Sequence, residues 1–213
     1  MRELARRLQA IPLVEDAPDG FLIERARESS VEAAFYRRVT TSSASVDPFG
    51  REERQRSFSY SLCRFLASDE TLGLELVDAP RGSQSFVSRL LEICDFQLTI
   101  LPLQVNVDDW ANRIVTDLRV QAHVDVVQAG NIDLGGGSIA RVTIRGVHDV
   151  RQTASDFVSR PYSVEKIQVR FYESYAGTSI VLTHAGSARI QGPSEVEVRE
   201  AARRSLLALL DES

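Results

Sequence analysis

The stretch LRVQAHVDVVQAGNIDLGGGSIARVTIRGV, residues 118–147, decides the fold class. Apolar side chains alternate with polar ones in its first part, at Leu118, Val120, Ala122, Val124 and Val126. That repeat of two residues is typical of a half-buried strand. The part that follows the glycines alternates in the same way. The stretch therefore predicts a hairpin of two antiparallel strands around a glycine-rich turn.

Further strands and a closing helix are predicted downstream. The segment VEKIQVRFYESY, 164–175, alternates again, and TSIVLTHAGSARI, 178–190, is its predicted hairpin partner. Within that partner, His184 is in phase with apolar positions and is expected to face the core. The chain then predicts a helix, in which Ser194 is the N-cap and Glu197 completes a capping box.

The first half mixes helical and extended patterns. Residues 2–10 predict a short helix, and residues 21–41 predict two extended segments. The polar stretch 42–57 predicts a long loop, because it is rich in serine and holds a proline and a glycine. Helical spacing follows at four apolar positions: Phe58, Leu62, Phe65 and Leu66. Beyond them the patterns predict a strand at 71–80, a helix at 83–94 and a strand at 95–107.

Together these elements predict the α+β class: a mainly antiparallel, meandering sheet with helices packed on one face and a C-terminal helix. We expect one domain over residues 1–213. Any subdivision would fall near 42–57 or near 108–117, where the patterns change.

Composition restricts the function. The chain has 213 residues, 43% of them hydrophobic, which suffices for a sizeable core. A net charge of −5 makes wholesale nucleic-acid binding an unfavoured function. We expect no membrane segment, because there is no run of 18 apolar residues. Cys63 and Cys94 do not form a disulfide framework, and they are expected to be buried, reduced thiols in a cytoplasmic protein. No cofactor is predicted.

Charge is distributed unevenly along the chain. Over residues 64–111, three arginines oppose eight acidic residues, whereas residues 139–170 carry six basic and three acidic residues. Such asymmetry can steer a partner or make two copies attract each other. An accidental distribution of charge over a solvated surface is the simpler interpretation. Lys166 is the only lysine, which indicates coding bias in a GC-rich genome.

The glycine-rich segment has two readings. Glycine adopts positive φ without steric cost, so a chain reversal between two strands explains the motif fully. Successive N–H groups of a glycine loop can also bind an anion. The candidate ligand-binding residues for that second reading comprise the loop and nearby cations: Asp133, Gly135, Gly136, Gly137, Ser138, Arg141, Arg145 and Arg170.

The string DLGGGS, 133–138, resembles a phosphate-binding hairpin of the actin-like phosphotransferase and exopolyphosphatase group. The resemblance implies that Asp133 would hold a metal or water and that Ser138 would contact a phosphate oxygen. It covers six residues, and that fold also requires an earlier matching phosphate loop. The first half of the sequence has none, so we do not assign the chain to this group.

Other chemistry-bearing residues form weaker patterns. His123, Asp125 and His148 are the metal-ligand candidates, but a metal site needs three or four converging ligands. A solvated strand face is the simpler expectation for His123 and Asp125. Asp108 and Asp109 are expected to be the acidic first turn of a helix, which the helix dipole favours.

The sequence therefore favours a non-catalytic interaction or assembly module of a bacterial cytoplasmic complex, which binds a protein partner or itself. One alternative is an enzyme or sensor that binds a phosphorylated small molecule through 133–138. Another is a protein that holds an apolar small ligand between the sheet and the C-terminal helix.

Overall fold

The computed structural model describes residues 1–46, 48–50, 52–71, 73–80, 82–157 and 160–212. The chain divides into two compact units, residues 1–100 and 101–213. Each unit contains its own antiparallel sheet with helices, which is the predicted α+β class. The boundary between the units coincides with neither position at which the sequence predicts a subdivision of its single domain.

The first unit is a four-stranded sheet, in the order β1-β2-β3-β4, with two helices. Its elements are α1 (Arg2–Gln9), β1 (Asp19–Ala26), β2 (Ser30–Val46), β3 (Glu52–Ser68), β4 (Gly73–Val77) and α2 (Gln84–Ile93). Both helices contribute buried residues to the core on one face of the sheet. At its centre, four aromatic rings have neighbouring centroids 4.8 to 6.2 Å apart: Phe21, Phe35, Phe65 and Phe86.

Two predictions for residues 42–66 are wrong. The predicted loop at 42–57 is largely the end of β2 and the start of β3, and the predicted helix around Phe58 and Phe65 is part of β3. The helical spacing is coincidental, because apolar side chains in β3 point to both faces of the sheet. A continuous ladder from Ser30 to Val46 fixes the strand, so tertiary pairing overrides the local pattern.

The strand predicted at 95–107 is also absent. Residues 97–106 have no regular secondary structure, and the next helix begins at Val107. Pro102 lies within this irregular segment and cannot donate a ladder hydrogen bond.

The predicted burial of both cysteines is confirmed. Cys63 and Cys94 are free thiols buried in the core of the first unit. Burial raises the pKa of both thiols, so they remain protonated at neutral pH.

The second unit is a five-stranded sheet, in the order β6-β5-β7-β8-β9, with three helices. Its elements are α3 (Val107–Leu118), β5 (Ala122–Gly135), β6 (Ser138–Arg145), α4 (Arg151–Phe157), β7 (Ser163–Phe171), β8 (Ser179–Thr183), β9 (Ala188–Gln191) and α5 (Glu195–Asp211). A 3-10 turn, Glu173–Tyr175, follows β7. The predicted glycine-centred hairpin is β5–β6.

Local details of the second unit differ from the prediction at three points. The predicted strand start at Leu118 is the last turn of α3. The predicted partner strand 178–190 is two strands, β8 and β9, and His184 is exposed in the turn between them. His184 is therefore not a core residue, and its Nδ1 atom lies 3.1 Å from the carbonyl oxygen of Glu165.

The C-terminal helix α5 packs on α3. The indole Nε1–H of Trp110 donates a hydrogen bond of 2.9 Å to the carbonyl oxygen of Ala202. The buried residues of α5 are Val198, Ala201, Ala202, Ser205 and Leu206. Ser194 is the N-cap, as predicted, but its side chain makes no capping hydrogen bond. Among the described residues, no helix has both the length and the apolar character that crossing a membrane requires.

Candidate functional site

Strands β2 and β3 continue well beyond the first sheet. Strand β1 pairs with β2 only as far as Arg37, and β4 pairs with β3 only from Arg64 onward. Nine consecutive pairs, from Arg38–Tyr60 to Val46–Glu52, therefore extend without a third strand among the described residues. At about 3.3 Å per residue this two-stranded part is about 30 Å long. We call residues 38–46 and 52–60 the ribbon.

The two faces of the ribbon follow from the register. Phe35 and Cys63, which are paired at its base, are both buried in the core, so odd-numbered side chains lie on the core face. Successive side chains of a strand alternate between faces. The even-numbered side chains of both strands therefore lie on the opposite, outer face.

The outer face combines exposed aromatic and basic side chains. Phe58 is 55% exposed and Tyr60 is 52% exposed. The Arg38 guanidinium lies 4.0 Å from the centroid of the Phe58 ring, in a cation–π contact. Arg54 and Arg56 share this face by register. Large apolar side chains that stay exposed side by side are typical of a binding surface.

The backbone edge of β2 is chemically open. The Arg38 N–H donates to the carbonyl oxygen of Pro18, at 2.8 Å, and therefore points away from β3. Because the β2–β3 register is regular, the N–H groups of Thr40, Ser42 and Ala44 point the same way. No described strand pairs with this edge, so these groups are available to a new strand.

The two edges of the ribbon differ in protection. Residues 39–46, VTTSSASV, contain no charged residue and no proline, whereas 52–56, EERQR, contain four charged residues. Charged residues and proline are the usual means by which sheet edges avoid pairing with other chains. The β2 edge lacks both, so it can accept an added strand by β-augmentation.

The glycine-rich loop forms a tight hairpin turn. Gly135, Gly136 and Gly137 all have positive φ, between 62° and 88°. The Asp133 carboxylate accepts a hydrogen bond of 2.8 Å from the Gly135 N–H, and Arg160 donates to the Asp133 carbonyl oxygen. Nothing lies within 4 Å of the position of a Cβ on the three glycines. The loop is thus an exposed tip whose carboxylate already has a backbone partner.

The three arginines predicted to serve this loop do not gather around it. Arg141 forms an ion pair of 2.6 Å with Glu165. Arg170 donates two hydrogen bonds to one carboxylate oxygen of Asp125, at 2.8 and 3.0 Å. Arg145 is at the far end of β6, about 23 Å from Ser138 at the usual rise per residue. Phosphate binding at the loop remains a prediction.

The predicted metal candidates are placed differently from one another. His123 and Asp125 are 9% and 6% exposed, so the expectation of a solvated face is wrong for them. His123 stacks on Tyr172, with ring centroids 5.0 Å apart. The Nδ1 of His123 and the Oδ1 of Asp125 are buried, and neither has a hydrogen-bond partner among the residues that the structure describes. His148 is exposed. Within the described residues, no three histidine, cysteine or acidic side chains converge as a metal site would require.

The remaining alternative is an apolar ligand between the sheet and the C-terminal helix. Two cavities lie against β5 and β7, and neither is lined by a residue of α5. That alternative also remains a prediction.

The sequence patterns described above do not predict the ribbon, although one segment has the pattern of a strand. Residues 57–62, SFSYSL, alternate strictly between small polar and large apolar side chains, which is the pattern of a strand. Phe65 and Leu66 favour a helix instead, because they extend a helical spacing that begins at Phe58.

Comparisons with known proteins leave the site to be interpreted by its own chemistry. No protein-family model matches this chain. No curated protein has a significantly similar sequence.

Proposed function

We propose that this protein is a non-catalytic interaction module that binds an extended, acidic segment of a partner protein along the β2 edge of the ribbon. The observation that carries this proposal is the uncharged, unpaired edge of residues 39–46 beside an outer face of exposed aromatic and arginine side chains. We place the module in a complex of the bacterial cytoplasm, for which two buried thiols are suitable.

The charge of the outer face supports an acidic partner. By register it carries Arg38, Arg54 and Arg56 against one acidic residue, Glu52, whose carboxylate lies 3.8 Å from Arg54. A strand added at the edge places alternate side chains on this face. Acidic and apolar side chains would there meet the arginines, Phe58 and Tyr60.

A stability argument also supports a partner. A two-stranded hairpin is marginally stable in water on its own, because it buries little apolar surface. A third strand would satisfy the free N–H and carbonyl groups of β2 and cover the exposed rings. Self-association through the same edge is the second candidate, since the edge of another copy is equally unprotected.

The proposal is tested by removing one edge donor. The Ser42 N–H points to the free edge, so Ser42→Pro removes this donor without breaking a bond to β3. Ser42→Val is the matched control, because valine retains the N–H and favours strands. Binding of a fluorescent peptide of alternating glutamate and valine is measured by anisotropy. We expect Ser42→Pro to weaken binding by about tenfold and Ser42→Val to leave it within about twofold.

Two results would contradict the proposal: equal binding of the peptide by both variants, or equal binding of a lysine–valine peptide by the wild type. Sedimentation velocity of the wild-type chain examines the second candidate. A dimer that Ser42→Pro dissociates would replace the partner segment with a second copy of this chain.

A further inference from the structure

The five-stranded sheet of the second unit has an apolar side and a polar side. On the apolar side, Val127 pairs with Ile167, and both side chains are buried. Residues of α3 and α4 line a cavity together with Val127, so these two helices lie on the apolar side. Because successive side chains of a strand alternate, the neighbours of Val127 and Ile167 along each strand lie on the other side.

Two rows of paired residues cross that other side, and we call these residues the polar face. One row is Thr143, Gln128, Lys166 and Thr183, and the other is Arg145, Val126, Gln168, Val181 and Arg189. All of these side chains are polar or basic except the two valines, which are buried or half-buried. The polar face therefore offers charge and hydrogen-bonding groups rather than apolar surface.

Three cations of the polar face are free. The side chains of Arg145, Lys166 and Arg189 form no ion pair or hydrogen bond with any other residue that the structure describes. Arg145 and Arg189 lie in one row, four strand spacings or about 19 Å apart, and Lys166 lies on the central strand between them. The cations are thus spread over the width of the sheet, as a long polyanion requires.

The acidic residues of this sheet do not neutralise the free cations. Glu165 forms an ion pair of 2.6 Å with Arg141, and Asp125 forms one of 2.8 Å with Arg170. The remaining acidic residue of the five strands, Asp133, lies at the hairpin tip and caps a backbone N–H. The polar face therefore has a local excess of positive charge. A chain charge of −5 disfavours nucleic-acid binding over the whole surface, but not at a local basic face.

An exposed aromatic ring lies on the same side of the sheet. His123 pairs with Arg170, two residues from Gln168, and so belongs to this side. The Tyr172 ring stacks on His123, with centroids 5.0 Å apart, yet Tyr172 remains 42% exposed. Its outer ring face can accept a further flat group, such as a nucleobase.

We infer that the polar face binds single-stranded nucleic acid, a function beyond the peptide binding proposed for the ribbon. The free arginines and Lys166 contact backbone phosphates, and the glutamines and threonines donate hydrogen bonds to phosphate and sugar oxygens. An unpaired base stacks on Tyr172. A protein partner is the less suitable occupant, because the centre of a protein interface is rich in aromatic and apolar side chains, which the polar face does not expose.

Fluorescence anisotropy of a labelled oligouridine strand tests the inference on the full-length protein. We expect saturable binding that weakens as the salt concentration rises, because the bound phosphates release counterions. The glutamate–valine peptide should not displace the strand, since that peptide is expected at the ribbon. These measurements need no variant. Absence of binding, or displacement of the strand by the peptide, would overturn the inference.

Lys166→Gln removes one free cation and retains a polar side chain. We expect it to weaken oligouridine binding by about fivefold. Arg56→Gln is the matched control, because it removes an exposed arginine of the ribbon and should change the affinity by less than about twofold. An equal loss in both variants would mean that binding follows net charge alone, and the polar face would not be the site.

Tyr172→Leu removes the ring and retains an apolar side chain against His123. We expect about tenfold weaker binding of oligouridine, whereas Tyr172→Phe keeps the ring and should bind within about twofold of the wild type. Urea unfolding of each variant separates a loss of binding from a loss of the fold. Equal affinities of the two folded variants would overturn base stacking, and with it the assignment to single strands.

Discussion

Two hairpins of this protein differ in how many of their side-chain and backbone groups already have partners within the protein. In the β5–β6 hairpin, the tip carboxylate of Asp133 caps a backbone N–H, and Arg141 is paired with Glu165. In the β2–β3 ribbon, aromatic rings are exposed and no described strand pairs with the backbone of the β2 edge. The β5–β6 hairpin contains the conspicuous glycine motif, whereas the ribbon contains no conspicuous motif.

The comparison shows that a conspicuous sequence motif and a surface available for binding need not coincide. Three glycines are noticeable because few structures need them, and here a chain reversal at positive φ needs them. Ordinary serine, threonine and phenylalanine attract no attention in a sequence. They become a candidate interface only because pairing carries them beyond the sheet. Three pairs of substitutions break or sharpen this contrast.

The largest effect is expected at the base of the ribbon. Phe65→Ala removes a buried ring that contacts Phe21 and Phe86, and should lower the free energy of unfolding by about 3–5 kcal/mol. Phe58→Ala, on the exposed outer face of the same strand, should cost about 1 kcal/mol or less. Urea denaturation measures both. Similar losses would mean that the ribbon is part of the folded core and not a free surface.

An intermediate effect is expected at the glycine turn. Gly136→Ala places a Cβ at φ 62° and should cost about 1–2 kcal/mol, measured by thermal or urea unfolding. Gly136→Asn is the control, because asparagine tolerates this conformation in hairpin turns and should be nearly neutral. Phosphate should stabilise wild type and both variants equally. Stabilisation of the wild type alone would revive the phosphate-binding alternative and weaken the contrast.

The smallest effect is expected at the ion pair between the β5–β6 hairpin and β7. Hydrogen bonds from Arg141 and Gln128 lower the pKa of Glu165. The pKa of Glu165 is therefore lower in the folded state than in the unfolded state. A shift in this direction stabilises the fold at pH values above the unfolded-state pKa. The stabilisation is lost as the pH falls through the folded-state pKa. Glu165→Gln should therefore cost about 1 kcal/mol or less at pH 7, since Arg141 is largely exposed.

Unfolding of wild type and Glu165→Gln across an acid pH series tests the sign of this effect. The difference in unfolding free energy between wild type and Glu165→Gln should shrink as the pH drops below the usual glutamate pKa. Arg141→Gln should show the same dependence on pH. A difference that is constant with pH would mean that packing, rather than the ion pair, holds this hairpin.

Predictions from the sequence succeeded where short-range physics decides. The terminal helices, the helix whose first turn contains Asp108 and the alternating strands of the second unit follow from repeats and capping preferences within a few residues. The glycine turn likewise follows from φ alone. These elements gave the α+β class.

They failed where a distant partner decides. Residues 57–62 alternate like a strand, yet Phe65 and Leu66 continue a helical spacing, and the sequence alone offers no criterion to choose between the two. His123 and Asp125 have the pattern of a solvated face but are buried. Burial of a strand face depends on what packs against it, which the strand itself does not encode.

The sequence by itself determined the class, most helices and the turn at Gly136, because backbone preferences act locally. Only the tertiary structure decided where the ribbon leaves the sheet and which N–H groups it leaves free. It also decided that strand β5 buries His123 and Asp125. The candidate site is defined by backbone hydrogen bonds left unmade, and an unmade bond becomes visible only when all neighbours are in place.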